Sequence, residues 1–143
     1  MILKRFSVVI LMSAFFMTSW LGLASAADEE NDGIHRLALQ ISDNDPDKMT
    51  SVLNVAANVS RHYSGIGEEV EIKIIAINAG LHMLRADTSP VGKRVKSFGK
   101  SMFNVEFIAC GNTMDSMARS EGKQPPLIDE YDIVPAGVVA LIE

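Results

Sequence analysis

One cysteine, Cys110, stands among 143 residues, so the chain cannot close a disulfide within itself. Its thiol is left to be buried and inert, paired with another molecule, or reactive. Also missing are a GxSxG elbow, a Walker loop and a GxGxxG turn, and with them goes the usual support for hydrolase and nucleotide-binding readings. No run of Lys or Arg with interleaved aromatics occurs, and no internal repeat or low-complexity tract is visible. Two of the 13 basic residues, Lys4 and Arg5, lie in the first 26 residues, which hold no acid. The remainder therefore sets 18 acids against 11 bases, a net charge of −7. Such a surface repels phosphate backbones, and no nucleic-acid partner is expected.

The N-terminus has three parts: the basic pair, an apolar run from Phe6 to Leu23, and the small residues Ala24-Ser25-Ala26 before Ala27. That layout predicts a secretory signal over residues 1–26, cleaved near Ala26/Ala27, and a periplasmic product free of the membrane after cleavage. An uncleaved anchor is the alternative, because the apolar run approaches the roughly 18 residues of a membrane-spanning helix. In that reading the Ala-Ser-Ala site has no role. Residues 27–33 are polar and acidic and read as a flexible segment, and residues 34–143 are long enough for one domain.

Within that domain, Leu37, Leu39 and Ile41 alternate as in a strand over 35–42. Asp45 and Pro46 then suit the cap and first position of a helix reaching about Ser64, with Val52, Leu53, Ala56, Val59 and Tyr63 on one face. Residues 70–78 form a second strand, apolar on both faces in its latter half. A short helix over 81–85 and another starting at Ser89-Pro90 follow. Val105 to Cys110 reads as the third strand, cut off by Gly111-Asn112 before a helix from Thr113 to Gly122. Ile133-Val134 is a short fourth strand, and Pro135-Ala136-Gly137 leads into an apolar end. Alternating strands and helices predict an α/β fold: three layers, α/β/α, around a mostly parallel sheet of four or five strands, flavodoxin-like in appearance.

Such sheets place their sites at the carboxyl ends of the strands. Small or turn-forming residues gather there: Asn78-Ala79-Gly80, Cys110-Gly111-Asn112 and Pro135-Ala136-Gly137. Cys110 ends its strand directly before a helix start, where the dipole and unpaired N–H groups favour a thiolate. The expected site is a crevice with Cys110 as the reactive residue, its sulfur partly exposed and reached by main-chain N–H groups from Gly111 to Thr113. Asn78, Gly80, His82, Pro135 and Gly137 complete it as anion- or substrate-binding positions. Against this stands the reading of a packed, inert thiol, since free cysteine is among the most buried residue types. No metal is expected. Asp43, Asp45 and Asp47 alternate as calcium ligands do, but Lys48 and Asn54 break the loop, and His35, His62 and His82 share no ligand spacing.

From about His35 onward the chain resembles the DsrE/DsrF-like family, and the exported subgroup in particular. The likeness is carried by the element order, the Asp45-Pro46 helix start, the Asn78-Ala79-Gly80 junction, Cys110-Gly111-Asn112-Thr113-Met114 and Val134-Pro135-Ala136-Gly137-Val138-Val139. The resemblance implies sulfur relay, with Cys110 matching the cysteine that carries sulfane sulfur as a persulfide and with no organic cofactor. It also implies a homo-oligomer, trimer or hexamer, and either sulfur donor and acceptor proteins or small sulfur compounds as partners. Two departures are visible: relay members work in the cytoplasm, and the chain stops at Glu143 inside what resembles the family's last helix. A truncated C-terminus or an early domain end is therefore expected. The other functional readings are a noncatalytic binding or assembly module of the same fold and a small-ligand pocket with Cys110 as a wall residue.

Overall fold

The computed structural model describes residues 33–142 except residue 130. The expected signal over residues 1–26 and nearly all of the acidic stretch after it lie outside the described residues. Strand β1 (His35–Ile41) leads into helix α1 (Pro46–Ile66), and strand β2 (Val70–Ala76) into a 3-10 segment, Asn78–Leu84. Helix α2 (Gly92–Ser101), strand β3 (Val105–Cys110), helix α3 (Gly111–Glu121), strand β4 (Asp132–Val134) and a 3-10 turn, Val139–Leu141, complete the order. All strand pairs are parallel and the sheet order is sequential, β1-β2-β3-β4, with His35 opposite Val70, Ile72 opposite Val105 and Ile108 opposite Asp132.

Sequential parallel order with right-handed crossovers carries successive helices to the same face of the sheet. Accordingly Met49, Leu53 and Ala56 of α1 and Val95 and Phe98 of α2 pack in one core with Ile72, Ile74, Phe107 and Ala109. Met114 and Met117 of α3 pack against that core's margin. On the second face Ile75, Ile77, Ile108 and Cys110 form a smaller cluster, covered by Val134 and by Ala140 and Leu141 of the tail turn. The architecture is thus α/β with three layers, the third being the thin tail. Toward the amino ends of the strands this second face is polar: Arg36, Glu71, Lys73 and Asp132 project there and are exposed.

Local chemistry explains where the elements start and stop. The Asp45 carboxylate accepts the N–H groups of Asp47 (2.8 Å) and Lys48 (3.3 Å), and Pro46 occupies the first turn, where no N–H partner is needed. Gly67, at φ 77°, closes α1 two residues later than the sequence placed its end. Strand β2 ends at Ala76 because Asn78 turns left-handed, with φ 48°, into the 3-10 segment. The Ser89 hydroxyl donates to Met83 O (2.6 Å) and accepts from Val91 N–H (3.3 Å), so Ser89-Pro90 forms a turn and α2 starts only at Gly92.

No turn separates β3 from α3. Cys110, at φ −77° and ψ 115°, is itself the N-cap, and Gly111 is the first helical residue. A Cβ on Gly111 would lie 3.2 Å from Val134 O, so this abrupt entry needs a small residue. Asp43, first of the acids that mimic a calcium loop, pairs with Lys48 at 2.8 Å.

Candidate functional site

The carboxyl ends of β2, β3 and β4 converge on a crevice of about 400 Å3. Ile77 and Asn78 line it from just beyond β2, Cys110, Asn112 and Thr113 from the β3–α3 junction, and Ser116 and Met117 from α3. Ala136, Gly137 and Val138 of the tail close the last side. No acidic or basic side chain is among these residues, so an anion held here relies on hydrogen-bond donors and on the N-terminus of α3. A larger crevice, about 580 Å3, lies at the opposite ends of the strands beside Ile34, Glu69 and Phe103. Ser60, Ser64 and Ser101 and the acids Glu68, Glu69 and Glu71 line it but no cysteine does, and thiol chemistry belongs to the other end of the sheet.

Cys110 is only 6% exposed, where the sequence led us to expect partial exposure. The physical reason is Gly137. A Cβ added there would lie 2.6 Å from Ile77 Cγ2 and 3.1 Å from both Cys110 Cβ and Ile75 Cγ2, so the bare glycine backbone lies directly against the cysteine. From that position the Gly137 N–H donates to Cys110 Sγ at 3.3 Å. Thr113, 8% exposed, adds a hydroxyl. Its Oγ1 accepts the Asn78 N–H (3.0 Å), which leaves the hydroxyl proton free to be donated to the sulfur.

Burial alone would push the Cys110 thiol up. Hydrogen bonds from the Thr113 hydroxyl and from the backbone N–H groups of Gly137, Thr113 and Asn112 outweigh it and bring the pKa below that of an ordinary thiol. The Asn112 N–H is shared, since it also donates to Pro135 O at 3.1 Å and ties the start of α3 to the tail.

Of the positions singled out from sequence, Cys110, Asn112, Thr113, Asn78 and Gly137 come together, and Pro135 takes part through its carbonyl. Gly111 does not join the donors around the sulfur, and its role is to make room beside Val134. Gly80 is buried under β1, where a Cβ would meet Ile41 O at 2.0 Å, and it serves the backbone crossing. His82 does not line the crevice. Its Nδ1 lies 2.9 Å from Thr88 Oγ1, which holds the ring away from Cys110. Sequence reasoning overlooked Ile77, Ser116, Met117, Ala136 and Val138; Ser116 was within reach, being one turn beyond Thr113 on the same helix face.

Among the described residues, no group of three or more His, Cys, Asp or Glu side chains is placed to hold a metal, and no helix is long and apolar enough to cross a membrane. The chain matches no protein-family model and no curated protein. Among solved structures it is similar to MTH1491 from Methanobacterium thermoautotrophicum, described as a protein of unknown function. The two are 25% identical, with a TM-score of 0.63 over 76% of this chain and 88% of that one.

Proposed function

We propose that the chain is an exported sulfur-handling protein of DsrE/DsrF-like type in which Cys110 carries sulfane sulfur as a persulfide. The observation behind this reading is the sulfur's setting: Sγ accepts the Gly137 N–H at 3.3 Å beside a crevice of about 400 Å3. In the loading step the Cys110 thiolate attacks the outer sulfur of a donor R–S–SH. A new S–S bond forms to Sγ as the donor's own S–S bond breaks; RS− leaves, and the proton of the transferred –SH passes to RS− or solvent, so that Cys110 carries the outer sulfur as a persulfide. Unloading reverses this: an acceptor thiolate takes the outer sulfur and Cys110 departs as thiolate. An uncharged crevice suits a small sulfur compound or a single persulfide sulfur offered by a partner protein. The exposed Val138, Val139 and Ile142 beside it are the surface through which copies of the chain would assemble as a trimer or hexamer.

Treatment with a sulfane-sulfur donor is expected to add the mass of one sulfur atom, removable by a reductant. Cys110→Ser should lose that increment and keep the fold, since the hydroxyl is close in size and holds no persulfide. Wild-type protein that stays unmodified would sink the proposal. The burial of Cys110 favours the second reading, a noncatalytic assembly module in which the thiol is packed. That reading expects no sulfur uptake while the oligomer is retained.

A further inference from the structure

Beyond β4 the tail lies over the end of the sheet. Among the described residues, two hydrogen bonds run from it to the rest of the domain: Asn112 N–H to Pro135 O at 3.1 Å, and Gly137 N–H to Cys110 Sγ at 3.3 Å. Its other backbone bonds are internal, from Val139 to Ala136 (3.0 Å), Leu141 to Val138 (3.3 Å) and Ile142 to Val139 (2.9 Å). Packing adds Ala140 and Leu141 against Ile75, Ile77 and Ile108. The tail's outer side, Val138, Val139 and Ile142, is exposed. One of these two bonds therefore ends on Cys110 Sγ, the thiol of the site.

We propose that the tail from Pro135 to Leu141 is a strap clamped over Cys110, and that substitution at the sulfur releases it and uncovers the apolar patch of Ile75, Ile77 and Ile108. A sulfur atom in an S–S bond is a poorer acceptor than a thiol or thiolate sulfur, and the group it carries needs room where Gly137 lies, so the Gly137 N–H loses its partner. Gly137 already stands at contact distance from Ile77 and Cys110, and no slack remains to re-form the bond elsewhere. The strap thus couples the chemical state of one buried atom to the exposure of an apolar surface more than one side chain wide. This inference rests on Cys110 being reactive, as the sulfur-carrier reading also requires, but not on the identity of the group it carries.

Hydrogen exchange on the full chain tests it, with Cys110 reduced or capped by methyl methanethiosulfonate. The reagent forms a Cys110–S–S–CH3 bond as methanesulfinate leaves, and a reductant reverses it. Capping should speed exchange across residues 135–142 about tenfold, the equivalent of one lost hydrogen bond, and leave α1 unchanged. Cys110→Ala, which removes the acceptor and adds no bulk, should speed the same amides. Unchanged tail exchange in both would overturn the strap. So would a loss of protection spread over α1, or capping that occurs only once the domain has unfolded. If capping frees the tail but a sulfane-sulfur donor adds no mass, the strap stands and the sulfur-carrier reading fails.

Discussion

Gly137→Ala perturbs the site at one point and in a calculable way. Its φ is not among the left-handed glycines, so alanine meets no backbone penalty there and the whole effect is steric. The new methyl would lie 2.6 Å from Ile77 Cγ2 and 3.1 Å from Cys110 Cβ and Ile75 Cγ2, on three neighbours that are themselves buried. Two are buried branched aliphatic side chains, Ile75 within β2 and Ile77 directly after it, which cannot swing aside as a surface lysine would. Overpacking of this kind costs about 1–3 kcal/mol. Strain is relieved most easily by moving the tail, which has two hydrogen bonds to lose, and the N–H on Cys110 Sγ goes with it. Urea denaturation should therefore show a stability loss in that range, and alkylation of Cys110 should accelerate. Rates should be compared on the plateau of the pH profile, because lifting the tail removes both the burial that raises the thiol pKa and a donor that lowers it. Gly111→Ala, whose nearest contact would be 3.2 Å from a carbonyl oxygen, should cost less. A Gly137→Ala protein within about 0.5 kcal/mol of wild type and with unchanged alkylation would refute the account of Gly137 as the close cover of the sulfur.

Thr113→Val removes a hydrogen-bond donor to the sulfur and orphans the Asn78 N–H, so the alkylation profile of Cys110 should move to higher pH and stability should fall by about 1–3 kcal/mol. Arg85, 4% exposed, is held between Asp87 and Glu121, and its hydrogen bonds hold the Asp87 carboxyl down to about 2. A depressed carboxylate stabilises above its unfolded pKa and loses that contribution as pH falls, so the deficit of Asp87→Asn in urea midpoint should be full at neutral pH and vanish near pH 2. Glu106 has the opposite sign: burial and a hydrogen bond with Asp132 raise its pKa above 4.5, so its ionisation opposes folding. Glu106→Gln should stabilise the protein at neutral pH and lose its advantage below that value, as urea midpoints at the two ends will show.

Much of the fold was legible because burial and period coincided. The doubly apolar half of β2 and the span Val105–Cys110 read correctly since parallel strands covered on two faces must look that way. The Asp45-Pro46 helix start and the Gly122 helix end follow from backbone rules that operate within a few residues. What escaped was set by contacts distant in sequence. Gly137 was legible as a position at the strand ends beside Cys110, but nothing near it announces that its backbone will rest on a residue 27 positions earlier or that its N–H will point at the sulfur. His82, adjacent to a strand's carboxyl end, looked well placed for the site, yet its bond to Thr88 turns it elsewhere. Likewise Gly111 was expected to supply an N–H and instead supplies space, because Val134 crosses it.

The same geometry explains why reactivity and concealment occur together at Cys110. A thiolate at the end of β3 needs donors, and α3 offers Asn112 and Thr113 from one side only. Donors from the other side have to come from whatever lies over the sulfur, and that segment necessarily buries it. Burial opposes ionisation while the donors favour it, and in this site the donors prevail. A strand-end cysteine without the tail would be open but would keep only the helix-side donors. With the tail it gains the Gly137 N–H at the cost of access, and access then depends on how readily the tail from Pro135 to Leu141 can lift. The rate of Cys110 alkylation should accordingly follow the opening of the tail rather than of the domain, and remain insensitive to urea concentrations well below the unfolding midpoint. An alkylation rate that rises in step with global unfolding would show that the sulfur is reached only through the unfolded chain.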